Sequence, residues 1–319
     1  MKYRPIDGIE KRASVLVYGT GNEKIMGDDS GLARECLDMA WENGFTVFDS
    51  ANAYGNAEKN LGIWMELRDL REKIIILDKG CNPGMHGSQD EMTPELIKAQ
   101  VEESLKRMHT DYLDLYILHR DDKTKPVGPI VEILNELQEQ GKIKKFGGSN
   151  WSFERVKEAN EYAKTHGLHG FSVVSPCFNM LEMKGDPWGG SIHISGEPGK
   201  KARVWYMNQN IPVFSYSSLA RGFLSGKYKT SSGKTMEECL LPATIQEYGY
   251  PENLEKLQKA EELAKKKECT VSQIALAWLL HQPLIVYPII SPSSEKHMID
   301  NIGAFGIDLS EENILIDFS

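Results

Sequence analysis

The sequence predicts an α/β chain closed into a (β/α)8 barrel of the TIM type, and three observations carry that expectation. Short apolar, β-branched runs begin near residues 15, 46, 74, 114, 145, 172, 213 and 285, which makes eight. Most of them are separated by helix-period stretches, the rhythm of parallel βα units. Several runs stop abruptly at a polar side chain, and such barrels keep their chemistry at the C-terminal strand ends. An open doubly wound sheet is the alternative. It usually carries a glycine-rich phosphate turn after its first strand, and no G-x-G-x-x-G stands there.

Taken in order, Pro5-Ile6-Asp7-Gly8 is a turn signal, so an N-terminal β-hairpin is expected ahead of the barrel, plugging its floor. Residues 14–18 form a first strand ending in Gly19-Thr20-Gly21, where missing side chains allow close approach by a ligand. Ser30 caps a helix to residue 43 with Leu32, Cys36, Met39 and Ala40 on its inner face. The strand at 46–48 runs into Asp49 and, five residues on, Tyr54. The run from Ile74 ends at Lys79-Gly80. Thr93-Pro94-Glu95 opens a helix with the stripe Leu96, Val101, Leu105 and Met108, and the next strand, 112–119, ends at His119. A helix at 129–140 stops at Gly141, and the strand at 145–148 leads into Ser149-Asn150-Trp151. A helix at 153–166, strands at 171–175 and 213–216 with a helix at 200–209 between them, and a last run at 284–290 complete the alternation. Two insertions at the C-terminal face, 182–199 and 229–251, exceed ordinary connections and read as long loops walling a substrate pocket. Trp188 and Ile192 give the first of them apolar surface.

Bulk properties narrow the function. The 40% hydrophobic and 26% charged residues fit a globular protein with ample core; length and composition alone leave two average domains open beside one barrel, and the single domain over residues 1–319 follows from the eight-strand count. A net charge of −9 with no basic stripe argues against a nucleic-acid partner. Without an apolar run of about 18 residues or a signal-like start, no membrane partner is expected and a cytoplasmic location is. The five cysteines, Cys36, Cys81, Cys177, Cys239 and Cys269, are scattered without metal-ligand spacing, so reduced thiols and no metal are expected. Oligomeric state is not legible.

An Asp that caps the next helix and a Tyr at a loop edge are commoner than a catalytic pair. Asp49, Tyr54, Lys79 and His119 at three strand ends shift that balance, because all four can move or stabilise a proton. Asp78 either pairs with Lys79 or, by strand alternation, points to the helical layer.

The segments Phe48-Asp49-Ser50-Ala51 through Ala53-Tyr54-Gly55, Lys79-Gly80, 111–119, Gly148-Ser149-Asn150, Tyr216 to Leu219 with Arg221 to Lys227, and Asn301 stand in one order. In that order the chain resembles the aldo-keto reductase family of NAD(P)H-dependent oxidoreductases over almost its whole length. The resemblance implies reduction of an aldehyde, ketone or sugar-like carbonyl, a small-molecule substrate, by hydride transfer from nicotinamide. Tyr54 is then the general acid, Lys79 the charge that lowers its pKa from about 10, Asp49 the anchor of that lysine, and His119 the group that orients the carbonyl. Gly19, Thr20 and Asp49 approach the cofactor, Ser149 and Asn150 hold the carboxamide, and Tyr216 stacks on the ring. Ser217, Leu219, Arg221 and Lys227 belong to the segment over the pyrophosphate. Ser175 stands where many members have a glutamine. Ser291, Ser293, His297 and Asn301 occupy the adenosine-phosphate segment; their few cations leave NAD an alternative to NADP, the expected cofactor. Trp151 and Trp188 join Tyr54 and His119 around the substrate. Two other classes stay open, a nicotinamide-sensing regulatory protein with little turnover and a hydrolytic metal-dependent barrel, the latter short of histidines at strand ends.

Overall fold

Eight parallel strands close in sequence order, β1 (Val17–Gly19), β2 (Val47–Asp49), β3 (Ile75–Gly80), β4 (Leu113–Leu118), β5 (Ile143–Ser149), β6 (Val173–Ser175), β7 (Val213–Ser215) and β8 (Val286–Ile290), with β8 pairing back onto β1. The structure is a computed structural model and describes residues 1–83, 91–292 and 294–309. The (β/α)8 expectation is met.

Within that frame some boundaries move for local reasons. β1 starts three residues late because the Ser14 hydroxyl is taken by the Thr46 and Val47 amides, at 3.0 and 3.2 Å. The helix Ser30–Glu42 is capped by Asp29 rather than Ser30, its carboxylate accepting from the Gly31 and Leu32 amides. Its buried face is Ala33, Cys36, Leu37 and Ala40, so the expected stripe is displaced and Leu32 faces solvent. Thr93 caps Pro94–Arg107 as expected, and of the expected stripe Val101, Leu105 and Met108, the last at the C-cap, are buried, while Leu96 is only partly so and Ile97 and Ser104 join the buried face.

Strand alternation decides what reaches the site. Val17, Val47, Ile75, Leu77, Leu115, Ile117, Phe214, Tyr287 and Ile289 fill the barrel interior. Two residues beyond the last interior residue of β2, β3, β4, β7 and β8 come Asp49, Lys79, His119, Tyr216 and Ser291. The same pleat that packs hydrocarbon below thus presents polar groups above. A one-residue slip in any strand exchanges these sets, and each buried Val, Ile or Leu turned outward costs about 1.5–3 kcal/mol. Asp78 takes the other parity and is buried in the helical layer, where burial and neighbouring Glu58 push its carboxyl well above the usual range.

At the opposite end, antiparallel bridges Tyr3↔Ser14 and Ile6↔Ile9 make the expected hairpin, and Ile6, Ile9 and Ala13 join the interior cluster. Asp114 is gripped there from two sides, by Lys11 Nζ at 2.9 Å and Arg71 Nη1 at 2.9 Å. Among the described residues no helix is long and apolar enough to cross a membrane.

Candidate active site

A cavity of about 640 Å³ opens at the C-terminal ends of the strands. Asp49 and Lys79 lie at its base, both almost fully buried, with Lys79 Nζ donating to Asp49 Oδ1 at 2.5 Å and to the Ser50 carbonyl at 2.8 Å. Burial works against the lysine's charge, but Asp49 and Tyr54 outweigh it and its pKa is raised. The ammonium stands 4.9 Å from the Tyr54 ring centroid. His119 meets that ring edge-on, centroids 5.7 Å apart, so the expected catalytic four converge.

The electrostatics of the four differ in one respect from the sequence reading. Burial raises the Tyr54 phenol, and the Lys79 charge only opposes that rise instead of bringing the pKa below its ordinary value. His119 is lowered well below the ordinary imidazole value, by burial first and then by Lys79 and Arg120. It is a neutral ring, and its Nδ1 is buried without a partner.

Asn150, in the left-handed conformation at φ 58, is a junction. Its amide nitrogen donates to the His119 carbonyl at 3.1 Å and to Ser149 Oγ at 3.3 Å, while its oxygen accepts from Tyr216 Oη at 2.8 Å and the Ile192 amide at 3.1 Å. The hub ties β4, the residue after β7 and the first insertion together. That insertion is folded around Asp186, which accepts from the Trp188 amide and from both the amide and hydroxyl of Ser191. Trp188 and Ser191 line the cavity, in keeping with a substrate wall.

After β7 the chain turns through left-handed Ser217, Ala220, Arg221 and Gly222, whose φ is +91°. Ser217, Leu219, Arg221 and Lys227 all line the cavity, as do Gly19, Ser149, Asn150, Tyr216, Ser291, His297 and Asn301. Behind the turn stands the second insertion. Its Glu247 lies 3.3 Å from Arg221, and Tyr248 accepts from Asn179 and meets the thiol of Cys177 at 3.3 Å. Burial pushes that thiol up to about 12, which makes it unreactive.

Three expected contacts are absent from the cavity wall. Thr20 has the outward parity of Tyr18, and its hydroxyl is turned to Ser50 Oγ at 3.1 Å. Ser175 faces inward but donates to the Phe214 carbonyl at 2.8 Å, bridging β6 to β7. Trp151 is 2% exposed and packs on Phe171 at 4.9 Å, its indole N–H donating to the Arg120 carbonyl. The left-handed Asn150 breaks the alternation and turns the indole out of the barrel. Ser293 lies outside the described residues. Conversely, Met26, Arg120, Ser191 and Ser218 line the cavity unannounced; Arg120 was findable as the neighbour of His119.

Comparison with known proteins gives a consistent picture. Residues 16–316 match the model of the Aldo/keto reductase family. A Glycine max protein named Probable aldo-keto reductase 1 is 31% identical over 281 residues, 87% of this chain and 76% of its own. Norsolorinic acid reductase A of Aspergillus parasiticus is 28% identical over 315 residues, 94% of this chain and 74% of its own. Uncharacterized oxidoreductase YrpG of Bacillus subtilis is 29% identical over 326 residues, 98% and 93%.

Proposed function

The chain belongs to the aldo/keto reductase family, an oxidoreductase acting on carbonyls, and from that premise we propose that it reduces an aldehyde, ketone or sugar-like carbonyl with NADPH, Tyr54 supplying the proton. The observation that carries this reading is the convergence of the Tyr54 phenol, the His119 ring and the Lys79 ammonium in one cavity.

The residues present fit a nicotinamide dinucleotide. Arg221 Nη1 is buried without a partner beside a turn of left-handed residues, an arrangement suited to a pyrophosphate. Arg221 with Ser217, Leu219 and Lys227 would hold it, Tyr216 would stack on the ring with its hydroxyl pinned by Asn150, and Ser291, His297 and Asn301 would take the adenosine end. When bound, the reduced nicotinamide supplies the hydride. NADPH is favoured because Lys227 and His297 both line the cavity, with NADH the weaker alternative.

The chain's own part is proton delivery and charge stabilisation. A phenol held above its ordinary pKa stays protonated at neutral pH, as a donor must, and the Lys79 charge steadies the phenolate left behind. Because His119 is neutral, it offers a hydrogen bond to the carbonyl oxygen without competing as an acid. Asp49 keeps Lys79 charged and aimed.

The test is Tyr54→Phe, followed by NADPH consumption over a carbonyl panel. Turnover should fall about 10²–10⁴-fold with the cofactor dissociation constant kept. Near-native turnover removes Tyr54 from proton transfer. Cofactor binding by the unaltered protein with no turnover of any carbonyl supports the nicotinamide-sensing role instead.

A further inference from the structure

Among the described residues, Arg120 is a buried cation that no carboxylate contacts directly. It is 7% exposed and lines the cavity beside His119. Nη1 donates to the Gly189 carbonyl at the tip of the first insertion, and Nε is buried with no partner. Among the described residues no carboxylate comes within 4.0 Å of it. The other buried cation of the cavity base, Lys79, has Asp49 at 2.5 Å. Asp186 feels the charge of Arg120, yet its oxygens are spent on the amides of Trp188 and Ser191 and on the Ser191 hydroxyl.

Burying a guanidinium without an anion is costly, and a fork of planar donors matches a carboxylate in shape as well as charge. Tethering a loop carbonyl needs only a neutral donor, so the tether leaves the charge of Arg120 unexplained. With Lys79 paired to Asp49, Arg120 is, among the described residues, the cation next to the reacting groups with no carboxylate in direct contact, Asp186 acting on it only at longer range.

We propose that the substrate of this protein is a carbonyl compound bearing an anionic group, a carboxylate or a similar oxyanion, and that Arg120 selects it by pairing with that group while Tyr54 and His119 engage the carbonyl oxygen. The proposal rests on the reductase reading above and names its substrate class. Arg120 is thus a specificity residue, with the first insertion held over the anion through Gly189.

The experiment compares acid and neutral partners of one shape. Turnover of 4-carboxybenzaldehyde is measured against 4-methylbenzaldehyde, and binding of 4-(hydroxymethyl)benzoate against 4-methylbenzyl alcohol by tryptophan quenching of the cofactor-loaded protein. The unaltered protein should favour the acid in both pairs. Arg120→Met should reduce each acid-to-neutral ratio about ten- to hundredfold, the scale of a charge-assisted hydrogen bond, and Arg120→Lys should restore part of it. Absence of acid preference in the unaltered protein overturns the proposal, and this outcome needs no variant to fold. Equal loss for acid and neutral partners in Arg120→Met reduces the residue to a loop tether, and a matching loss of cofactor affinity reassigns its anion to the cofactor. Failure to turn over any aldehyde rejects the reductase reading, while the binding ratio still decides the anion.

Discussion

The guanidinium of Arg221 lies 3.9 Å from the ring centroid of Trp188, which clasps the insertion after β6 to the turn after β7 across the cavity mouth. The contact couples the first insertion to the turn after β7. Glu247 lies 3.3 Å from Nε of the same guanidinium.

Trp188→Ala should therefore weaken cofactor binding, although Trp188 is proposed to face the substrate. A cation–π contact of about 0.5–2 kcal/mol corresponds to roughly two- to thirtyfold in dissociation constant. Fluorescence titration with NADPH measures it. In a double-mutant cycle with Arg221→Met the losses should be less than additive; additive losses would separate the two elements.

The pH profile follows from two opposite displacements. As the proposed acid, Tyr54 would donate while protonated, and its pKa is raised, so the donor should be lost only above about pH 10. His119 acts while neutral, and its pKa is lowered, so it gains a charge only well below about pH 6.5. Carbonyl reduction should accordingly show a flat kcat/KM from about pH 6.5 to 9, while alcohol oxidation, which needs the phenolate, should rise throughout. A break in the reduction profile near the ordinary histidine value, abolished in His119→Gln, contradicts the neutral-ring assignment.

Cofactor choice is open to the same treatment. Ser291 is already committed, its hydroxyl donating to the Gly19 carbonyl at 2.8 Å, so His297 is the position in this segment where a cation can be strengthened. His297→Arg should raise the NADPH-to-NADH affinity ratio by more than about tenfold, the value of one charge-assisted contact to phosphate. Paired dissociation constants check it, and an unmoved ratio shows that the segment does not face the 2′-phosphate.

Most of the site was legible because strand parity extends past the strand. Asp49, Lys79 and His119 continue the apolar inner rows of β2, β3 and β4, and a run of alternating residues carries that information without tertiary knowledge. Trp151 was misjudged where the pleat is interrupted, since an Asn in the left-handed region leaves no mark in hydrophobic periodicity. Thr20 had the right neighbourhood and the wrong parity, and Ser175 the right parity with its hydroxyl already engaged by Phe214. Ser191 enters the cavity through the folding of the first insertion on Asp186, a long-range outcome that local pattern does not encode, whereas Arg120 stands next to His119 in the sequence. The cap of Ser30–Glu42 was misplaced by one residue, because Asp29 and Ser30 are both good cap residues and it is Asp29 that accepts from the Gly31 and Leu32 amides.

The hairpin floor and the doubly gripped Asp114 lie at one end of the barrel, and the cavity opens at the other. Inheritance can therefore treat the two ends as separate estates. Lineages can rewrite residues 182–199 while the foundations at Ile6, Ile9, Lys11 and Arg71 stay untouched, so novelty at the mouth is tried on a scaffold that is not itself at stake.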